Sequence, residues 1–170
     1  MILNYYHGRL GPTNLNAIIL SATTLLLDLD GVLITTPMWK ADEIDTDGYS
    51  KFNDGCVRNL NILLEAANFE IVLSSSRRKM KSIDEFNLIF KNRMINQSIT
   101  AYVPISDGPK DRKEEITSYL VENAIDDFLI IDDDKSLCEL LPEYKKKFIL
   151  TSYMNGLNQD KVNEALKLIK

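Results

Sequence analysis

Five short apolar runs, separated by segments of helical period, constrain this chain more than any other feature of it. The first predicts a strand over Thr24–Leu29 and the second, EIVLSS, a strand over about Ile71–Leu73. SITAYVP, DDFLIIDDD and KKFILT supply three more. Between them, Val57, Leu60, Leu63, Leu64 and Ala67 recur at helical spacing behind a cap at Asn53 or Asp54. Ile83, Phe86, Ile89 and Phe90 mark a second helix, and Ile116, Leu120 and Val121 a third. SLCELL reads as a short helix and QDKVNEALKLIK as a final one, while residues 31–52 read as a long polar loop. Strands alternating with helices imply βαβ units, a parallel sheet and right-handed crossovers. The runs are continuously apolar rather than alternating, which suits strands buried on both faces. The expected fold is therefore α/β, a three-layer doubly wound parallel sheet. At 170 residues the chain suits one such core, read as an N-terminal extension over 1–22 and a catalytic domain over 23–170.

The polar ends of these runs are the second constraint. Asp28 and Asp30 close the first run, Ser74, Ser75 and Ser76 the second, and Asp132, Asp133 and Asp134 the fourth. Ligands of doubly wound sheets bind outside the carboxyl ends of the strands, so these groups should converge on one rim. Up to five carboxylates gathered there would repel and raise one another's pKa. A hard divalent cation relieves that repulsion, and a few carboxylates with open positions suit Mg²⁺, which keeps its remaining waters or takes substrate phosphate.

Other classes fit poorly. A net charge of −5 argues against a generic nucleic-acid binder held by broad phosphate contacts. The lone histidine, His7, leaves no zinc cluster and no histidine-based triad. Cys56 and Cys138 lie far apart in no metal-like spacing and read as buried thiols of a reducing, cytoplasmic compartment. The apolar stretch NAIILSATTLLLDL is too short to span a bilayer; it reads as a short helix after Pro12-Thr13-Asn14 running into the first strand, and no membrane partner is expected.

The rim has the parts for phosphoryl transfer. A carboxylate beside Mg²⁺ can attack phosphorus and form an aspartyl phosphate. A second carboxylate two residues on, projecting to the same side of an extended chain, can protonate the leaving oxygen and then deprotonate water. A hydroxyl, from Ser74, and a cation, from the segment Lys110–Lys113, can hold the phosphoryl oxygens.

The order Asp-x-Asp-Gly, a strand ending in Ser, a basic residue at a helix start and a strand ending in Asp-Asp resembles the haloacid dehalogenase (HAD) superfamily over roughly residues 23–157. The resemblance implies a HAD-like Rossmannoid fold. It implies Asp28 as nucleophile, Asp30 as general acid/base, and a metal held by Asp28, the main-chain carbonyl of Asp30 and the Asp132/Asp133 pair, with Asp133 favoured. Ser74 maps to the second motif, with Ser75 next in register. EIVLSSSRRK, RKEEITSYL, FLIIDDDKSL and a closing T…GLN further resemble the HAD domain of Swiss Army Knife RNA repair proteins. Against that family's Arg-Gly-x-Glu-Ile, RKEEI keeps Arg112, Glu115 and Ile116 but has Lys113 for Gly, which favours Arg112 over Lys110 as the catalytic cation. Ser75, Lys110 and Gly31 are then expected to contact substrate.

Neither gap between motifs holds a sizeable cap, so the site should be open, which permits large substrates; the expected substrate is phosphorylated, either a small molecule or a nucleic-acid end. The expected activity is a Mg²⁺-dependent phosphatase. The alternative is a non-catalytic HAD-like module that binds phosphate or a partner chain. A receiver domain is excluded by order, since its acid pair comes on the first strand and its lysine on the last. Of the remaining features, Asp134 reads as the cap of the short helix after it. Arg77, Arg78, Lys79 and Lys81 read more simply as a solvated face than as a substrate clamp. Trp39 and Lys40, on the loop after Asp28, suit substrate contact or packing equally.

Overall fold

The computed structural model describes residues 22–37, 39–105 and 111–169. The extension before Ala22, with the helix expected after Pro12 and with His7, lies outside the described residues, as does Lys110. Five strands, β1 (Thr23–Leu27), β2 (Phe69–Leu73), β3 (Ile99–Tyr102), β4 (Phe128–Asp132) and β5 (Phe148–Leu150), form one all-parallel sheet in the order β3-β2-β1-β4-β5. Helices α1 (Asp54–Ala66), α2 (Ile83–Asn92), α3 (Arg112–Glu122), α4 (Pro142–Lys145) and α5 (Gln159–Leu166) connect and cover it. The expected three-layer α/β fold is present.

Side-chain alternation along the strands builds two cores. Leu25, Leu27, Ile71, Leu73, Leu129 and Ile131 pack with α1, α2 and α5. Leu26, Val72 and Ile130 face the other way, onto Ile116 and Leu120 of α3 and Leu137 of a 3₁₀ turn over Lys135–Glu139. Leu25, Leu26 and Leu27 are wholly buried, which explains a run with no polar face. From β1 the chain moves outward to β2 and β3; from β4 it moves outward to β5 on the other side. The point where the order reverses therefore lies between β1 and β4, the position at which such sheets open a ligand crevice.

The helix starts follow local chemistry. Asn53, rather than Asp54, caps α1 by accepting from the Gly55 and Cys56 N–H groups. Ser82 and Glu85 form a reciprocal capping box on α2. Asp111 caps α3, and Asp134 caps the 135–139 turn as expected. Two short elements went unanticipated: a 3₁₀ turn over Ser76–Lys79, and α4, whose Pro142 in the first turn is a start signal. The loop between β1 and α1 is irregular, with one bridge between Ile44 and Ser50. Buried Arg93, at the end of α2, pins it by donating to the Asp47 carboxylate at 2.5 and 3.0 Å and to the Ser50 carbonyl at 2.9 Å. Cys56 is buried, Cys138 half-buried, and both are free thiols. Among the described residues, no helix is long and apolar enough to cross a membrane.

Candidate active site

The sheet register sets the site. Leu27 pairs with Leu73 on one side and with Ile131 on the other, so the next residues, Asp28, Ser74 and Asp132, share one level at the strand ends. The Asp28 N–H donates to the Ile131 carbonyl at 3.0 Å and the Ser74 N–H to the Leu27 carbonyl at 2.9 Å. Asp28, Ser74 and Asp132 keep the parity of Leu26, Val72 and Ile130, which point toward α3. The N-terminus of α3 brings Arg112 to meet them.

β1 ends at Leu27, two residues earlier than expected. The Leu29 carbonyl accepts from the N–H groups of Val32, Leu33 and Ile34, and Gly31 donates to Ile34 at 2.8 Å, so the chain turns at once. Gly31 holds φ +65°, and a Cβ there would run into the Asp133 carboxyl group. Its lack of a side chain is what lets Asp133 come up against the turn. The premise of an extended chain from Asp28 to Asp30 therefore does not hold, although both acids still line the same cleft.

Carboxylate oxygens of Asp28, Asp132 and Asp133 all lie within 4.8 Å of one another. Asp28 and Asp132 are buried, and one oxygen of each, Oδ1 and Oδ2 respectively, has no hydrogen-bond partner among the described residues. Burial is the main force pushing all three carboxyls up, with repulsion from neighbouring carboxylates adding to it, Asp30 in the case of Asp28 and Asp28 in the case of Asp132 and Asp133. In Asp28 the Arg112 charge and the Ser75 hydroxyl oppose that rise; in Asp133 the result is a pKa of about 6. Orphaned, crowded, desolvated carboxylate oxygens form a donor set that fits a hard divalent cation. Arg112 alone does not neutralise them. It sits 3.9 Å from Asp28 and 3.5 Å from Asp132, donates to the Ser74 carbonyl, and approaches Glu115 at 3.7 Å.

Asp30 is held elsewhere. Its carboxylate receives Arg77 from Nε at 2.8 and 2.9 Å and from Nη2 at 2.7 Å. The same guanidinium donates to Asp42 and to the Ser50 hydroxyl, each at 2.7 Å. Arg78 is buried and donates to the carbonyls of Val103, Ser74 and Ser75 and to Glu115. The solvated-face reading is thus wrong for Arg77 and Arg78: these two residues build the floor of the second motif. Apart from the Ser74 and Ser75 carbonyls, their partners lie 25 to 47 residues away, beyond the reach of local pattern. The one available signal was two arginines directly behind a strand tip. Glu115, kept in RKEEI, bridges Arg112 and Arg78.

The two serines divide. Ser74 is wholly buried and its hydroxyl has no partner among the described residues. The Ser75 hydroxyl donates to Asp28 and accepts from the Arg77 N–H. The cleft has a volume of about 510 Å³ and is lined by the acids, Gly31, Arg77 and Arg112, together with Thr36, Pro37, Lys40 and Tyr153. Tyr153 was not anticipated; it follows β5, whose tip carries no acid to flag it. A second hollow of about 550 Å³, lined by Lys113, Glu114, Thr117, Glu139 and Leu141, includes none of the aspartates at the strand ends.

The closing GLN segment secures the turn after Asp28. The Leu157 N–H donates to the Val32 carbonyl at 2.9 Å, Asn59 of α1 donates to the Leu157 carbonyl at 2.8 Å, and Asn158 caps α5. Gly156 lies so close to Val32, Thr35 and Cys56 that a Cβ would overlap them.

A five-stranded parallel sheet with Asp28 at the tip of β1 and an acid pair at the tip of β4 defines a HAD-like α/β protein of phosphatase type. The chain belongs to the family described as the HAD domain in Swiss Army Knife RNA repair proteins, whose model matches residues 24–162. Searches of curated proteins and of solved structures find no match.

Proposed function

We propose that this chain is a Mg²⁺-dependent phosphoric monoester hydrolase that works through an aspartyl phosphate on Asp28. The observation that carries the reading is the group of three carboxylates within 4.8 Å, two with orphaned oxygens, beside one arginine. Asp28, Asp132, Asp133 and the Asp30 carbonyl would hold Mg²⁺, whose charge would offset the acids and let a phosphate dianion approach.

Arg112 and the unpartnered Ser74 hydroxyl then receive phosphoryl oxygens. Ser75 holds the Asp28 carboxylate in place. An Asp28 oxygen forms a bond to phosphorus as the bond to the leaving oxygen breaks, and Asp30 gives that oxygen a proton. The Asp30 carboxylate next takes a proton from water, the water oxygen bonds to phosphorus, and the Asp28–phosphorus bond breaks. Inorganic phosphate and free Asp28 result. Arg77 fixes the direction in which Asp30 presents its oxygens. Among the described residues, no inserted domain stands between β1 and α1 or between β2 and β3, so a bulky leaving group can project outward.

The test is hydrolysis of an aryl phosphate with Mg²⁺ and with EDTA. Asp28→Asn should abolish turnover while the far-ultraviolet circular dichroism stays that of the parent. Persisting activity in that variant would discard the mechanism.

A further inference from the structure

We infer that Trp39, with Tyr153 and Lys40, forms a subsite that stacks the nucleobase of a phosphorylated nucleotide whose phosphate lies at Asp28; the orientation of that phosphate rests on the phosphatase reading above. Trp39 is 77% exposed, although indoles are usually among the more buried side chains. Its burial can contribute little to stability. It meets Tyr153 edge to face, with ring centroids 5.4 Å apart and planes at 83°, a contact that leaves most of the indole open. Tyr153 and Lys40 in turn line the same cleft as the acids. One ring, Tyr153, thus lines the cleft itself, and the other, Trp39, packs on it and directly precedes the cleft residue Lys40, within reach of a leaving group that projects from a phosphate at Arg112.

Size and charge narrow the occupant. A cleft of about 510 Å³ is far larger than one phosphoryl group requires and has room for a nucleoside as well. Among the described residues, Lys40 has no carboxylate partner and is exposed, unlike Arg77, which is spent on Asp30 and Asp42. A free cation beside two rings suits a ligand that carries both a planar base and further phosphate oxygens. Stacking of a base on an aromatic side chain is tolerant of base identity and changes affinity on the order of 10- to 100-fold.

Trp39 is the only tryptophan of the chain, so its fluorescence reports the subsite directly. The parent protein in Mg²⁺ is titrated with an adenosine 5′-phosphonate, whose P–C bond resists hydrolysis, and separately with methylphosphonate. Saturable quenching by the first and none by the second is expected. In turnover, kcat/KM for adenosine 5′-monophosphate should exceed that for ribose 5-phosphate at least tenfold, carried by KM. That ratio should fall toward one in Trp39→Ala and be largely restored in Trp39→Phe. A trinucleotide bearing a terminal phosphate, compared with the mononucleotide, separates a strand end from a free nucleotide as the source of the base. Equal fluorescence responses to the two phosphonates, or a ratio unchanged in Trp39→Ala, would overturn the inference. Quenching without turnover of any substrate would keep the subsite and overturn the phosphatase reading instead.

Discussion

Replacing Gly31 by alanine should separate metal binding from simple loss of stability. Gly31 sits at φ +65°, where an alanine costs about 1–2 kcal/mol. In a domain of this size that lowers the melting temperature by about 2–8 °C. The larger effect is local. The new Cβ would overlap the Asp133 carboxyl group, and even the Asp133 Cβ lies only 2.6 Å away. Swinging the carboxylate aside cannot relieve a clash that reaches the Asp133 Cβ, so the backbone at the tip of β4 must shift. One of three converging carboxylates is then displaced, and the Mg²⁺ concentration that half-saturates the protein should rise on the order of 10- to 100-fold. Gly48 supplies the control: it holds φ +78° with nothing within 4 Å of its missing Cβ. Gly48→Ala should show similar backbone strain and an unchanged Mg²⁺ titration. The assay is calorimetric Mg²⁺ titration beside thermal melts of both variants. Indistinguishable Mg²⁺ affinity in the two would refute a metal role for Asp133.

The Asp133 carboxyl, raised to about 6, is protonated as the pH falls through that value. Mg²⁺ affinity should therefore hold above pH 6 and weaken below it, roughly tenfold per pH unit for one displaced proton. For the metal-free protein the sign is opposite: the folded state binds the extra proton between about pH 4 and 6, so chemical denaturation should show stability declining as pH rises across that window. Arg77→Ala should release Asp30 and the 42–50 loop together; kcat should drop more for an alkyl phosphate, whose leaving oxygen needs a proton, than for p-nitrophenyl phosphate. Equal losses on both substrates would mean that Arg77 does not act through Asp30.

The strands were readable because their centres are buried on both faces, which leaves continuous apolar runs, and because their tips switch abruptly to acids and serines. Where the chain obeyed local rules, as at the Asn53, Ser82 and Asp134 caps, local chemistry placed the boundary. The end of β1 was overrun because Leu29 and Val32 are as apolar as the strand; what stops it is a turn around the Leu29 carbonyl, which hydropathy does not record. Arg77, Arg78 and Tyr153 were opaque for a different reason. Their roles come from partners distant in sequence, Asp30 and Asp42, Glu115 and Val103, and Trp39. An arginine buried by a carbonyl two dozen positions away looks, in isolation, like any solvated basic residue.

The clasp between Leu157 and Val32 ties the two ends of the domain to one event. The peptide that bears Asp28 is made early, yet the piece that locks its turn arrives only after β5. A nascent chain that already owns β1, β2 and β3 therefore still lacks a settled cradle for Asp28. The turn behind Asp28 is complete only once the segment after β5 has folded back onto it.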